Sequence, residues 1–211
     1  MVTPAAGDGA GSAAWVRLLL AQALGTLVAG RRPGWFWPAQ AATLVGGGLW
    51  AWRGGAAAGS PPARLPRAVA VGGGWYAMVV AAAAVARHTG VGRRALRDLE
   101  RRRGAAPAGW RLVIVPVAAA GEELVWRGAV LAGCRRRLGP RPGSLAAAGA
   151  AGAVQLLSGN RLFPLAAAGW APVATWLCDA SGSVWPAAAA HAVWSALTLG
   201  WPGLPSAVRH R

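Results

Sequence analysis

Acidic residues are scarce in this 211-residue chain: six Asp and Glu stand against 22 basic residues, every one of them Arg. Two of the six are adjacent inside an apolar run, Gly121-Glu122-Glu123-Leu-Val-Trp-Arg127. An ionisable group near a bilayer centre costs on the order of 3 kcal/mol on insertion scales, so a pair kept there implies a use. Glu123 and Arg127 are four apart with the Glu N-terminal, a spacing that lets them meet on one helical face, and Arg127 is expected to neutralise Glu123. Glu122 points about 100° away around the helix and lacks that partner. A carboxylate poorly solvated by its surroundings is a stronger base, suited to taking a proton from water. The plainer alternative is that both Glu pair structurally, or that the segment is a surface helix of modest burial. Gly121 and Pro116 are expected to loosen this helix and admit water.

The second chemical group is an imidazole. His88 in an Arg-rich linker and His210 in the C-terminal tail are expected to be solvated. His191 stands alone in the uncharged stretch 180–208, with Ser195 four residues on and therefore on the same helical face. An imidazole and a hydroxyl there can both donate to a developing oxyanion; a core histidine satisfied by packing is the alternative. Cys134 and Cys178 are too few for a disulfide framework or a metal cage, and packing is the expected role of both.

The elements that carry these groups follow from composition. Charged residues make up 13% of the chain and hydrophobic ones 55%, against about 25% charged in an ordinary soluble domain. A water-soluble enzyme and a disordered basic tail are both excluded by that balance. The net charge of +16 raises nucleic acid as a partner, but a nucleic-acid binder strings its Arg along an exposed face. Here they bunch between the uncharged stretches 33–52, 68–86, 142–160, 162–178 and 180–208. A hydrocarbon core of about 30 Å takes roughly 20 helical residues, and in lipid only a helix or closed barrel satisfies its backbone. The expected fold is all-α: a polytopic membrane bundle of about seven transmembrane helices near 14–30, 35–52, 68–86, 112–133, 144–158, 162–178 and 184–201. Residues 1–12 read as a tail, 13–104 as N-terminal transmembrane helices with a basic amphipathic linker, 105–203 as the catalytic core and 204–211 as a second tail. The stretch 91–103 reads as a short helix at the lipid surface, with Leu96 and Leu99 on one side and Arg on the other. The positive-inside tendency makes this linker cytoplasmic, and the cluster Arg135, Arg136, Arg137 and Arg141 then falls on the wrong side. Small residues at Gly72, Gly73, Gly74 and along 146–152 are expected to let helices approach closely.

Together, Gly-Glu122-Glu123-Leu-Val-Trp-Arg127-Gly and His191-Ala-Val-Trp-Ser195 resemble the CPBP intramembrane proteases, the group of type II CAAX prenyl endopeptidases, Abi and lysostaphin-resistance-like proteins. The resemblance spans residues 108–200, and its most specific element is EExxxR. The middle element, Phe-or-Tyr-xxx-His in the family, aligns with Ala151-Gly-Ala-Val-Gln155, followed by Gly159-Asn160. Gln155 thus stands where the family has His, and Ser195 where it has Asn or Asp. The resemblance implies that Glu122 activates water with help from position 155, that His191 and Ser195 hold the oxyanion, and that Glu123 and Arg127 support the site. Gln cannot take up a proton near neutral pH, though its amide can orient a water, and Ser is a shorter donor than Asn.

The function expected is a multi-pass cell-membrane endopeptidase that cuts a membrane-associated peptide or protein. No cofactor, metal or nucleic acid is expected; the bilayer and the substrate are the partners. Two Glu and one His make a poor zinc set. Alternatives are a catalytically impaired relative that binds a membrane peptide or partner, in an immunity or scaffold role, and a small proton-coupled transporter.

Overall fold

The computed structural model describes residues 8–55 and 65–200, and all regular structure among them is helical. The elements are α1 Asp8–Arg31, α2 Phe36–Gln40, α3 Gly46–Arg53, α4 Leu65–Ala86, α5 Gly90–Gly104, α6 Ala108–Glu123, α7 Leu131–Leu138, α8 Pro140–Leu156, α9 Leu162–Ser181 and α10 Trp185–Ser195. Wider π-helical turns join α2 to α3 (Ala41–Val45), join α6 to α7 (Leu124–Val130) and extend α10 (Ala196–Gly200). Boundaries follow local chemistry. Thr89 caps α5 by accepting from the Gly92 amide at 2.9 Å. Pro140 and Pro186 open α8 and α10, where a missing N–H costs nothing. Gly182 ends α9 in the left-handed conformation, φ +67°.

The chain runs back and forth between two ends. At one, α5 lies across the bundle and Arg102 bonds the carbonyls of Ala29 and Ser158. At the other, Arg137 sits over the Trp15 ring, Arg67 over Trp176, and Arg135 pairs with Asp179. The rod Ala108–Leu138 leaves α5 at a bend of 109° and spans from the first end to the second. The Arg135–Arg137 cluster therefore lies opposite the α5 arginines because the fourth expected element crosses the bundle simply.

Several expectations need correction. Leu96 and Leu99 are buried against Ala83, Leu162, Phe163 and Leu199, so the apolar side of α5 is covered by protein rather than lipid; an amphipathic pattern does not distinguish the two. Gly121 is also a packing seat: a Cβ there would collide with the Leu44 carbonyl, and one on Gly48 would lie 2.5 Å from the Gly121 Cα. Of the glycine run in α4, only Gly72 is a close approach, where a Cβ would strike the Ala190 carbonyl and Val193; Gly73 and Gly74 face open space. The expected N-terminal tail is partly helical, since α1 begins at Asp8; residues 1–7 and the tail 204–211 lie outside the described residues.

Only Leu65–Ala86 is long and apolar enough to pass a membrane-span test by itself among the described residues, and the bent α5 and α6–α7 pair passes when taken together. The other expected spans fall short through mild Ala- and Gly-rich composition and a short α8. Nonetheless the outside is apolar: Leu20, Leu24, Val85, Val113, Leu145 and Leu165 are exposed, with Trp35 and Trp110 near the α5 end and Trp50, Trp52 and Trp176 at the other.

The seat at Gly72 sets the spacing of α4 from the helix bearing His191. Gly72→Ala is expected to lower the stability of the detergent-solubilised protein by about 1–3 kcal/mol, the usual cost of overpacking. Gly73→Ala, into open space, is expected to be neutral or slightly stabilising. Thermal melting of the two variants side by side checks the contrast.

Candidate active site

The rod α6–α7 carries the acidic pair at its middle, where α-helical winding gives way to the π-helical turn Leu124–Val130. Such turns are frequent at functional sites. Glu123 is fully buried. Its Oε1 accepts from the Trp170 indole Nε1 at 2.8 Å and faces His191 Nδ1 at 2.6 Å. Its Oε2 lies 3.2 Å from Arg127 Nε, outside hydrogen-bond geometry, so charge holds that contact. The expected Glu123–Arg127 pair is present, and the structure adds two partners that sequence spacing did not reveal.

Glu122 is half-buried and opens onto a cavity of about 130 Å³. Gln155, from the last turn of α8, lines this cavity beside Glu122. Arg127, Gln155, His191 and Ser195 line the same cavity, and Phe36, Trp37, Phe163, Trp170 and Trp194 supply much of its apolar wall. Ala151, standing at the family's aromatic position, is small there and leaves room. His191 and Ser195 are both buried, one turn apart on α10, whose approach to α6 completes the enclosure.

Because an ionised carboxylate only accepts, His191 Nδ1 carries the hydrogen toward Glu123, and Nε2 remains for a substrate. The imidazole stacks on Trp194 with ring centroids 5.0 Å apart and planes 3° from parallel. Glu123, by its bond to Nδ1, and Trp194, by stacking, together fix the orientation of the ring. Trp194 was legible, being three residues from His191 on one face. Trp170 was not, since no local spacing ties it to the acidic pair. Among the described residues no group of three His, Cys, Asp or Glu is placed to hold a metal ion. Cys134 and Cys178 are unpaired thiols. His88 is exposed, and His210 lies outside the described residues.

A cavity-lining carboxyl and amide, beside an imidazole bonded to a buried carboxylate in an all-helical fold, make this the candidate functional site. Residues 104–197 match the family described as type II CAAX prenyl endopeptidase Rce1-like, a match that supports membership of the CPBP family. Searches of curated proteins and of solved structures return no match.

Proposed function

We propose that this protein is a membrane-embedded endopeptidase that hydrolyses a peptide bond of a membrane-associated substrate, with Glu122 as general base. The observation that carries the reading is the gathering of Glu122, Gln155, His191 and Ser195 around one small cavity walled by aromatic rings. Membrane embedding is supported by the exposed aliphatic surface between two sets of exposed tryptophans, the arrangement of an aromatic belt at each interface. The aromatic wall lowers the polarity around these groups, which strengthens the electrostatic interactions among them.

In this mechanism the Gln155 amide and Glu122 carboxylate orient a water. Glu122 takes one of its protons as the hydroxide oxygen bonds to the scissile carbonyl carbon. The carbonyl π electrons move onto oxygen, where His191 Nε2–H and Ser195 Oγ–H donate to the oxyanion. Collapse breaks the C–N bond, and the proton held by Glu122 passes to the leaving nitrogen. Glu123, fixed by Arg127 and Trp170, faces the positive charge on the doubly protonated imidazole. Gln155 cannot relay a proton as a His would, so the whole transfer falls on Glu122.

The test is cleavage. Purified protein in detergent is expected to cut members of a membrane-peptide library, seen as new termini by mass spectrometry. His191→Ala is expected to lower kcat by about 10²–10³, the usual loss for one oxyanion donor. No product from the wild type, or unchanged turnover in His191→Ala, overturns the mechanism. Gln155 itself favours a second reading, binding of a membrane peptide without cleavage. That reading expects cross-linked partner to be recovered intact from wild type and Glu122→Gln alike.

A further inference from the structure

At the α5 end of the cavity a buried cation ties together segments that are far apart in sequence. Arg102 is 3% exposed and lies before the family-matched segment. Its Nε donates to Asp98 Oδ2 at 2.7 Å, its Nη1 to the Ala29 carbonyl at 3.2 Å and its Nη2 to the Ser158 carbonyl at 2.8 Å. The guanidinium also lies over the Phe36 and Phe163 rings, 5.1 and 5.7 Å from their centroids. Asn160 closes the cluster, donating from Nδ2 to Asp98 Oδ2 at 2.8 Å and to the Ala95 carbonyl at 2.9 Å.

Burying a guanidinium is costly unless its donors are satisfied, so a cation placed here must be matched by what it organises. What it organises is the turn that ends α8. Ser158 accepts from Arg102 through its carbonyl, while its Oγ donates to the Gln155 carbonyl at 2.6 Å. The Ser158 amide donates to the same Gln155 carbonyl at 3.1 Å, and the Asn160 amide donates to Ser158 Oγ at 3.2 Å. Gln155 in turn lines the cavity beside Glu122. A chain of hydrogen bonds thus runs from Arg102 through Ser158 to the residue that stands beside the candidate base. Planar, multidentate recognition is a property of Arg that Lys does not share.

We propose that Arg102, held by Asp98 and Asn160, is a positioning residue that sets the Gln155 amide against Glu122 by clamping the α8–α9 turn. The catalytic part of this proposal rests on the endopeptidase reading; the clamping part does not.

Arg102→Lys keeps a cation beside Asp98 but cannot serve Asp98, Ala29 and Ser158 from one plane. On a cleaved membrane peptide its kcat is expected to fall about tenfold with KM within about twofold, since displacement of a positioning group acts on turnover. In a Gln155→Ala background the same substitution is expected to change kcat by less than about twofold, because the two act as one unit. Unchanged kcat in Arg102→Lys, a loss confined to KM, or an undiminished loss in the Gln155→Ala background overturns the proposal. If Arg102→Lys does not fold, Ser158→Ala removes only the hydroxyl link and is expected to give the same split; its absence is equally contrary. Hydrogen exchange reads the clamp without any cleavage. The amides of residues 157–160 are expected to exchange faster in the folded variant than in wild type, and equal exchange overturns the clamp. A wild type that yields no product but shows this exchange difference rejects the endopeptidase reading alone.

Discussion

Glu122→Gln is expected to lower kcat by about 10²- to 10⁴-fold, the range lost with a general base, while the folded protein melts as wild type does. The expectation rests on the division of labour within the acidic pair. Glu123 Oε1 is taken by Trp170 and His191, and its Oε2 is buried against Arg127 rather than turned to the cavity. Glu122 is half-buried and opens onto the cavity, where Gln155 is its neutral neighbour and Arg127 and His191 act on it through charge. Gln has the same shape and still stands beside Gln155, so binding should change little and the loss should appear in kcat rather than KM. With no histidine at position 155 to share the proton, no second base stands on that side of the cavity. Turnover of Glu122→Gln within a few-fold of wild type would move the base elsewhere and leave this carboxyl a structural role.

How far the sequence foretells this arrangement depends on how local each relation is. Glu123 with Arg127, and His191 with Ser195, are one helical turn apart, and helical periodicity alone puts each pair on a face. That Glu122 and Gln155 line one cavity follows from aligning Ala151–Gln155 with the family's middle element, a relation no spacing rule supplies. Trp170 reaches Glu123 across 47 residues and Arg102 reaches Ala29 across 73; such contacts exist only once the helices pack. Arg102 in particular looks, in sequence, like one more member of a solvated basic run. The leucines of α5 show the opposite limit: their periodicity was plain, yet the surface that covers them is Ala83, Phe163 and Leu199 rather than lipid. The glycines divide in the same way, since residue type identifies a possible close approach and only packing decides that Gly72 and Gly121 are ones while Gly73 is not.

The other large effect concerns stability. Glu123→Ala is expected to destabilise the fold by about 3–5 kcal/mol, the cost of breaking a buried ion pair from one side. The Arg127 side chain is 6% exposed, so removing its counter-ion leaves a largely buried guanidinium without its carboxylate. Trp170 Nε1 and His191 Nδ1 lose their common acceptor in the same step, and an unmatched buried donor carries its own penalty of about 1–3 kcal/mol. These losses overlap in one network and do not add. The double variant Glu123→Ala with Arg127→Met separates them: a buried ion pair exchanged for apolar side chains is often close to neutral, so the double variant should recover a substantial part of the single variant's loss. SDS titration followed by circular dichroism gives the three midpoints. A double variant no more stable than Glu123→Ala would mean that the charge pair with Arg127 contributes little, and that Glu123 supports the fold through the indole and imidazole hydrogen bonds. Because those two bonds also orient His191 in the cavity, both outcomes bear on the site: in the first the ion pair fixes the carboxylate that fixes the ring, and in the second the ring and indole hold the carboxylate directly.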